Sequence, residues 1–206
     1  MFVAFLAIFF NAIGKNELFT VLKPLTTILI ILFTVFFGIR KNKFYKWVVI
    51  ALGFCLVGDT LLLKEAYFIW GLLSFLIAHL CFSYSFISLG GFKSYLIPLL
   101  LLLVFGIGYY WMLYDGLRAL KIPVLIYFIV ILFMGWQGIS VRIWKNDLSY
   151  TLIFIAVLLF ITSDSLLAWA KFKAPFRWDG ILILATYWIS IFSIGLATTM
   201  ERTKLN

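Results

Sequence analysis

Isolated charges divide this sequence into apolar runs of roughly twenty residues, the length a helix needs to cross a bilayer's hydrocarbon core. That spacing constrains the fold more than any other feature. Of the 206 residues, 65% are hydrophobic and only 12% charged, where a soluble domain is about half apolar and about a quarter charged. Water is therefore not the main solvent of this chain. Spans are expected at about 2 to 14, 18 to 39, 45 to 63, 66 to 89, 94 to 114, 121 to 141, 149 to 171 and 179 to 199, the first being short for a crossing. The expected class is all-α: a polytopic membrane helix bundle of about eight transmembrane helices forming a single transmembrane domain over residues 1–206. The runs are too long, and alternate too little, to be strands of a barrel. Gly and Pro inside them are tolerated because neighbouring helices satisfy freed backbone groups.

The formal charge is +9, but the basic residues sit singly between apolar runs and not along one face, which argues against a nucleic-acid partner. They read instead as loop charges that orient a membrane protein. Eight spans put both termini on one side, with nine basic residues there: Arg40, Lys41, Lys43, Lys46, Lys93, Arg142, Lys145, Arg202 and Lys204. The other side has eight: Lys15, Lys23, Lys64, Arg118, Lys121, Lys171, Lys173 and Arg177. The dense cluster from Arg40 to Lys46 favours cytoplasmic termini. Cys55 and Cys81 fall inside spans and read as small apolar residues, not as a disulfide or zinc site. The opening MFVAFLAIFFNAIG lacks a basic lead and an A-x-A-like end, so it reads as a short first helix and not a cleaved signal. With no targeting extension in view, a bacterial cytoplasmic membrane is the expected location, the endoplasmic reticulum being the alternative for a eukaryotic source.

Two short motifs recur. VGDTLLL near the end of the third span and TSDSLLA near the end of the seventh each set an Asp before a hydroxyl residue and two leucines. Lys23-Pro24-Leu25 opens the second span and Lys121-Ile122-Pro123 the sixth. The order and direction match, which fits two parallel four-helix halves related by an axis along the membrane normal. Coincidence between apolar stretches is the competing reading.

Ionisable side chains inside spans are costly and face a cavity or a partner, so they are the default functional candidates. Asp59, Asp164 and His79 lie within spans, and Lys23 one turn into another. At 1.5 Å per residue, Lys23, Asp59 and Asp164 fall roughly 6 to 11 Å from the face opposite the termini. The three can surround one cavity at that depth. His79, roughly 20 Å from the same face, would floor it, with Tyr84 about one turn beyond. Two carboxyl groups sharing a low-dielectric pocket do not both ionise readily, so such a pair offers an acid and a base at neutral pH. Paired carboxylates of this kind cleave acetal-type bonds. Each residue also has a purely structural reading: interhelical hydrogen bonds for the aspartates and His79, and snorkelling to the interface for Lys23.

Other chemistries find little support. Asp59, Asp164 and His79 are the only plausible metal ligands, with a cation nearby and no HExxH or Cys/His cluster. No nucleophile elbow, P-loop or dinucleotide fingerprint occurs. Ser163, Ser165 and Thr60 flank the aspartates, but hydroxyls in membrane helices usually bond locally.

KPLTT at Lys23 to Thr27, GDTLLL at Gly58 to Leu63, GLLSFLIAHLCFSYSF at Gly71 to Phe86 and SDSLLA at Ser163 to Ala168 together resemble the YhhN family of multi-spanning membrane proteins, which includes the transmembrane lysoplasmalogenases. The resemblance covers essentially the whole chain. It implies hydrolysis of the vinyl ether bond of lysoplasmalogen to a fatty aldehyde and glycerophosphoethanolamine or glycerophosphocholine, with no cofactor. It also implies that Asp59 and Asp164 carry the reaction, with Lys23 and His79 in supporting roles. Lys121-Ile122-Pro123 lacks the adjacent Lys-Pro pair, so no role passes to Lys121. The chemistry suits a positioned acid and a nearby anion, and Asp59, nearer the interface, is the favoured anion. Lys23 can attract a head-group phosphate. The implied partners are a lysophospholipid or other ether lipid and the surrounding membrane lipids. A proton-coupled carrier of lipids or small molecules is the alternative from another class, and a purely structural membrane protein a third.

Overall fold

The structure, a computed structural model, describes residues 2–40 and 42–200, and for Asn16 the backbone alone. Lys41, Arg202 and Lys204 of the charge tally lie outside the described residues. Eight α-helices follow in order: α1 (Phe2–Ala12), α2 (Asn16–Phe37), α3 (Lys43–Leu61), α4 (Phe68–Ile87), α5 (Leu96–Leu113), α6 (Lys121–Trp144), α7 (Leu148–Phe172) and α8 (Asp179–Met200). No strand occurs among the described residues. The polar residues between apolar runs set the helix boundaries. Asn42 caps α3 by accepting from the Phe44 N–H at 3.1 Å. Asp147 caps α7 by accepting from the Leu148 N–H.

Seven of the eight helices are long and apolar enough to cross a membrane. The eleven residues of α1 rise about 17 Å, roughly half the hydrocarbon thickness. The helix packs on α2 and α8, and its Val3 and Ala4 line one groove with Thr26 and Ile30 from the middle of α2. The outer surface is what lipid requires: on α5 Ile97, Val104 and Ile107 are largely exposed. Exposed Trp70, Trp111 and Trp178 ring one end of the bundle, where amphipathic indoles favour the bilayer interface.

Packing follows the repeat suggested by the motifs. Within each half the third and fourth helices pair most extensively, α3 with α4 and α7 with α8, and each fourth helix also packs on the second helix of the other half, α4 on α6 and α8 on α2. With lipid tails as apolar as leucine, small residues and interhelical hydrogen bonds hold membrane helices together. Ser74 donates to the Phe54 carbonyl at 2.7 Å across α4 and α3, and Ser190 to the Ala156 carbonyl at 2.8 Å across α8 and α7. The halves differ in their first helices. α1 packs on α8, whereas α5 makes no comparable contact with α4; it leans on α6 and touches α7 lightly.

Candidate active site

Lys23, Asp59 and Asp164 converge on one chamber inside the bundle, at the end where α2, α4, α6 and α8 begin. Counted from the nearest helix end, Lys23 lies about 10 Å deep, Asp59 about 3 Å and Asp164 about 12 Å. Asp59 is shallower than its motif suggests because α3 ends at Leu61, inside the GDTLLL stretch. Gly58 beside it lets α3 and α4 close up, since a Cβ there would meet the Phe75 ring at 2.6 Å.

Asp59 is surrounded by donors. Its Oδ2 accepts from Thr27 Oγ1 at 2.5 Å and from the Tyr187 hydroxyl at 2.9 Å, and Lys23 Nζ stands 3.9 Å from Oδ1. Its side chain is 1% exposed. Asp164 is less enclosed, at 14%. Its Oδ2 accepts from the Tyr127 hydroxyl, and His79 Nε2 lies 3.7 Å from that same oxygen. The His79 ring is wholly buried, edge-on to Phe160 at 4.6 Å and Tyr127 at 5.3 Å between centroids. Neither of its nitrogens has a hydrogen-bond partner among the described residues.

The chamber holding both aspartates leaves about 60 Å³ open to the centre of a water molecule, room for a few waters at about 10 to 15 Å³ each. A second, apolar chamber of about 40 Å³ adjoins it, between α6 and α7. Tyr127 and Asp164 line both, whereas Lys23, Asp59 and Tyr187 line only the first. Asp164 thus stands at the junction of a polar and an apolar compartment. No cluster of three His, Cys, Asp or Glu side chains suited to a metal ion occurs among the described residues.

The YhhN family profile matches residues 18–198, a stretch that includes every residue of both chambers. The chain belongs to the YhhN family. It is an integral membrane protein, as its seven long apolar helices require. It is 28% identical over 164 residues to the bovine (Bos taurus) protein named lysoplasmalogenase TMEM86A, covering 74% of this chain and 65% of that one. It is 30% identical over 143 residues to human (Homo sapiens) lysoplasmalogenase TMEM86B, covering 68% and 58%. Human lysoplasmalogenase TMEM86A is 29% identical over 160 residues, covering 74% and 65%. The chain therefore spans less than two thirds of the length of these relatives. No solved structure matches it significantly.

Not every residue singled out in this YhhN protein reaches the chamber. Tyr84 is 48% exposed and packs on Trp47 at 4.6 Å, lining neither chamber. Five residues past His79, it is turned about 140° away around the helix. Lys121 rests its ammonium 3.7 Å from the centre of the Tyr114 ring. Ser163 lines the polar chamber and Ser165 the apolar one, but their hydroxyls donate to the carbonyls of Ile183 and Ile161, and Thr60, outside both, donates to that of Leu56. Conversely, Thr27, Tyr127 and Tyr187 were not singled out from the sequence. Thr27 had a signal, being four residues past Lys23 and hence on the same helical face. The two tyrosines had none, being two among ten.

Proposed function

We propose that this protein hydrolyses the vinyl ether bond of lysoplasmalogen, yielding a fatty aldehyde and glycerophosphoethanolamine or glycerophosphocholine. The observation that carries the reading is the placing of Asp164 where the apolar chamber meets the polar one that holds Asp59 and Lys23. The names of its relatives point to the same reaction.

The two carboxyl groups divide the work. Asp59, facing a cation and two hydroxyl donors, is built as an acceptor and serves as the carboxylate. Asp164 faces the apolar chamber, where the alkenyl carbon lies, and serves as the acid. It protonates the alkene carbon one bond beyond the ether carbon, leaving an oxocarbenium ion. The Asp59 carboxylate stabilises that cation and takes a proton from the attacking water. The resulting hemiacetal collapses as the Asp164 carboxylate takes its hydroxyl proton and Asp59 gives its proton to the glycerol oxygen. The bond between the former vinyl carbon and that oxygen breaks, aldehyde and alcohol leave, and both carboxyl groups return to their starting states. Lys23 holds the head-group phosphate as a point charge, and Tyr127 and Tyr187 hold the carboxyl groups in orientation.

In this reading the chain works as one transmembrane domain without a cofactor, in a bacterial cytoplasmic membrane, with the Arg40 to Lys46 side cytoplasmic. The position of Lys23 supports that orientation: it lines the chamber and not a loop, leaving nine loop cations against seven. The repeated helix pairing favours a second reading, a proton-coupled carrier built from parallel halves.

Aldehyde release from a 1-alkenyl lysophospholipid by detergent-purified protein separates the two. Turnover that drops by about 10²- to 10⁴-fold in Asp59→Asn and in Asp164→Asn, with folding intact, supports the hydrolase. Absence of turnover across head groups and detergents rejects it in favour of the carrier.

A further inference from the structure

Three grooves open sideways between helices, and each is a place where a hydrocarbon chain can lie. One, between α6 and α7, is lined by Ile143 and Phe154; another, among α1, α2 and α8, by Ala4 and Phe192. Neither shares a lining residue with the two inner chambers. The third runs between α5 and α7, with a volume of about 430 Å³. It shares Phe105, Ile161 and Ser165 with the apolar chamber, which in turn shares Tyr127 and Asp164 with the polar one.

This groove exists because α5 stands away from the bundle. In the first half α1 packs on α8, while α5 makes no contact of similar extent with α4 and touches α7 only lightly. The threshold is held lightly. Phe105 is 41% exposed and stacks on Tyr109 at 5.6 Å, and the Tyr109 hydroxyl donates to the Ser165 carbonyl at 2.5 Å. Trp169 and Phe176 line the groove near the end of α7, and Ile161 lies deeper.

We propose that the α5–α7 groove is the lateral doorway from the bilayer to Asp164, and that its occupant is the single hydrocarbon chain of the lipid substrate. The proposal rests on the hydrolase reading for the identity of that lipid. Three observations carry it: the groove opens on the outer surface of the bundle, its lining continues through Phe105, Ile161 and Ser165 to the apolar chamber, and Asp164 lines that chamber. A lipid whose head-group phosphate meets Lys23 in the polar chamber would bring its vinyl ether to Asp164 and run its chain through the apolar chamber and out along the groove. The aldehyde product leaves by the same door into the membrane.

The test uses the full-length protein in lipid nanodiscs and a lysophospholipid carrying a photoactivatable diazirine near the end of its chain. Cross-links mapped by mass spectrometry are expected on α5 and α7, at residues such as Phe105, Tyr109 and Trp169, and are expected to disappear with excess unlabelled lysophospholipid. Competable labelling confined to the α6–α7 groove at Ile143 and Phe154, or to the α1–α2–α8 groove, overturns the proposal. This readout needs no turnover, so it stands apart from the fate of the hydrolase reading. If the protein is active, Phe105→Trp gives a second measurement. The ratio of kcat/KM for a long-chain over a four-carbon 1-alkenyl lysophospholipid is expected to fall about tenfold, the scale of overfilling a packed slot. A ratio within about twofold of wild type refutes the doorway. Phe105→Ala, which opens the threshold, is expected to keep that ratio at or above the wild-type value.

Discussion

Replacing Tyr187 by Phe removes one oxygen from a position the structure describes closely. The ring stays packed edge-on to Phe75 at 5.7 Å and to Phe160 at 5.6 Å, so the aromatic packing survives. The Asp59 carboxyl loses the donor at 2.9 Å but keeps Thr27 at 2.5 Å and Lys23 at 3.9 Å. A hydrogen bond to a charged acceptor contributes about 1.5 to 3 kcal/mol. If that bond steadies Asp59 as the oxocarbenium ion forms, kcat falls about 10- to 150-fold, at about 1.4 kcal/mol per factor of ten. Folding is expected to change little, because the carboxyl group keeps two partners. The assay is aldehyde release under saturating 1-alkenyl lysophospholipid, with a thermal melt of each variant in the same detergent. A kcat within about threefold of wild type, with an unchanged melt, refutes the role given to Tyr187 and weakens that of Asp59. A melt lowered in proportion to the activity loss assigns the tyrosine to stability alone.

Three further outcomes are expected. His79→Phe removes a buried ring whose nitrogens lack hydrogen-bond partners while keeping its shape between Phe160 and Tyr127. The melting temperature should hold or rise, and kcat should drop about tenfold if the imidazole positions Asp164 from 3.7 Å. Gln137 is fully buried and ties the segment before α5 to α6, donating to the Lys93 carbonyl at 3.0 Å and accepting from its N–H at 3.2 Å. Gln137→Leu should cost about 1 to 3 kcal/mol of stability, read as a lower melting temperature, without a matching loss of kcat. Tyr84→Phe should leave kcat and KM within about twofold of wild type, because that side chain packs on Trp47 outside both chambers.

The solvent, the class of fold and the rare ionisable residues were legible in the sequence for a single reason. A bilayer admits few charges and demands long apolar helices, so Asp59, Asp164, His79 and Lys23 stand out against their surroundings without any knowledge of the tertiary arrangement. The periodicity of two short motifs also anticipated the repeated helix pairing. What a span list does not contain is rotation: it says how deep a residue lies but not which way it faces. Tyr84 and His79 lie on one helix five residues apart, yet only His79 turns toward Asp164. Tyr127 and Tyr187 look like any of ten tyrosines until α6 and α8 are set against α7 and α3. The placement of α1 was open in the same way, since apolar character alone does not say which neighbours a short helix packs on, here α2 and α8. The lean of α5 is likewise a property of packing between halves and not of its own leucines. In a membrane every face of a helix can be apolar at little cost, so hydrophobic pattern ceases to encode orientation, and only the contacts between helices decide which side chains meet.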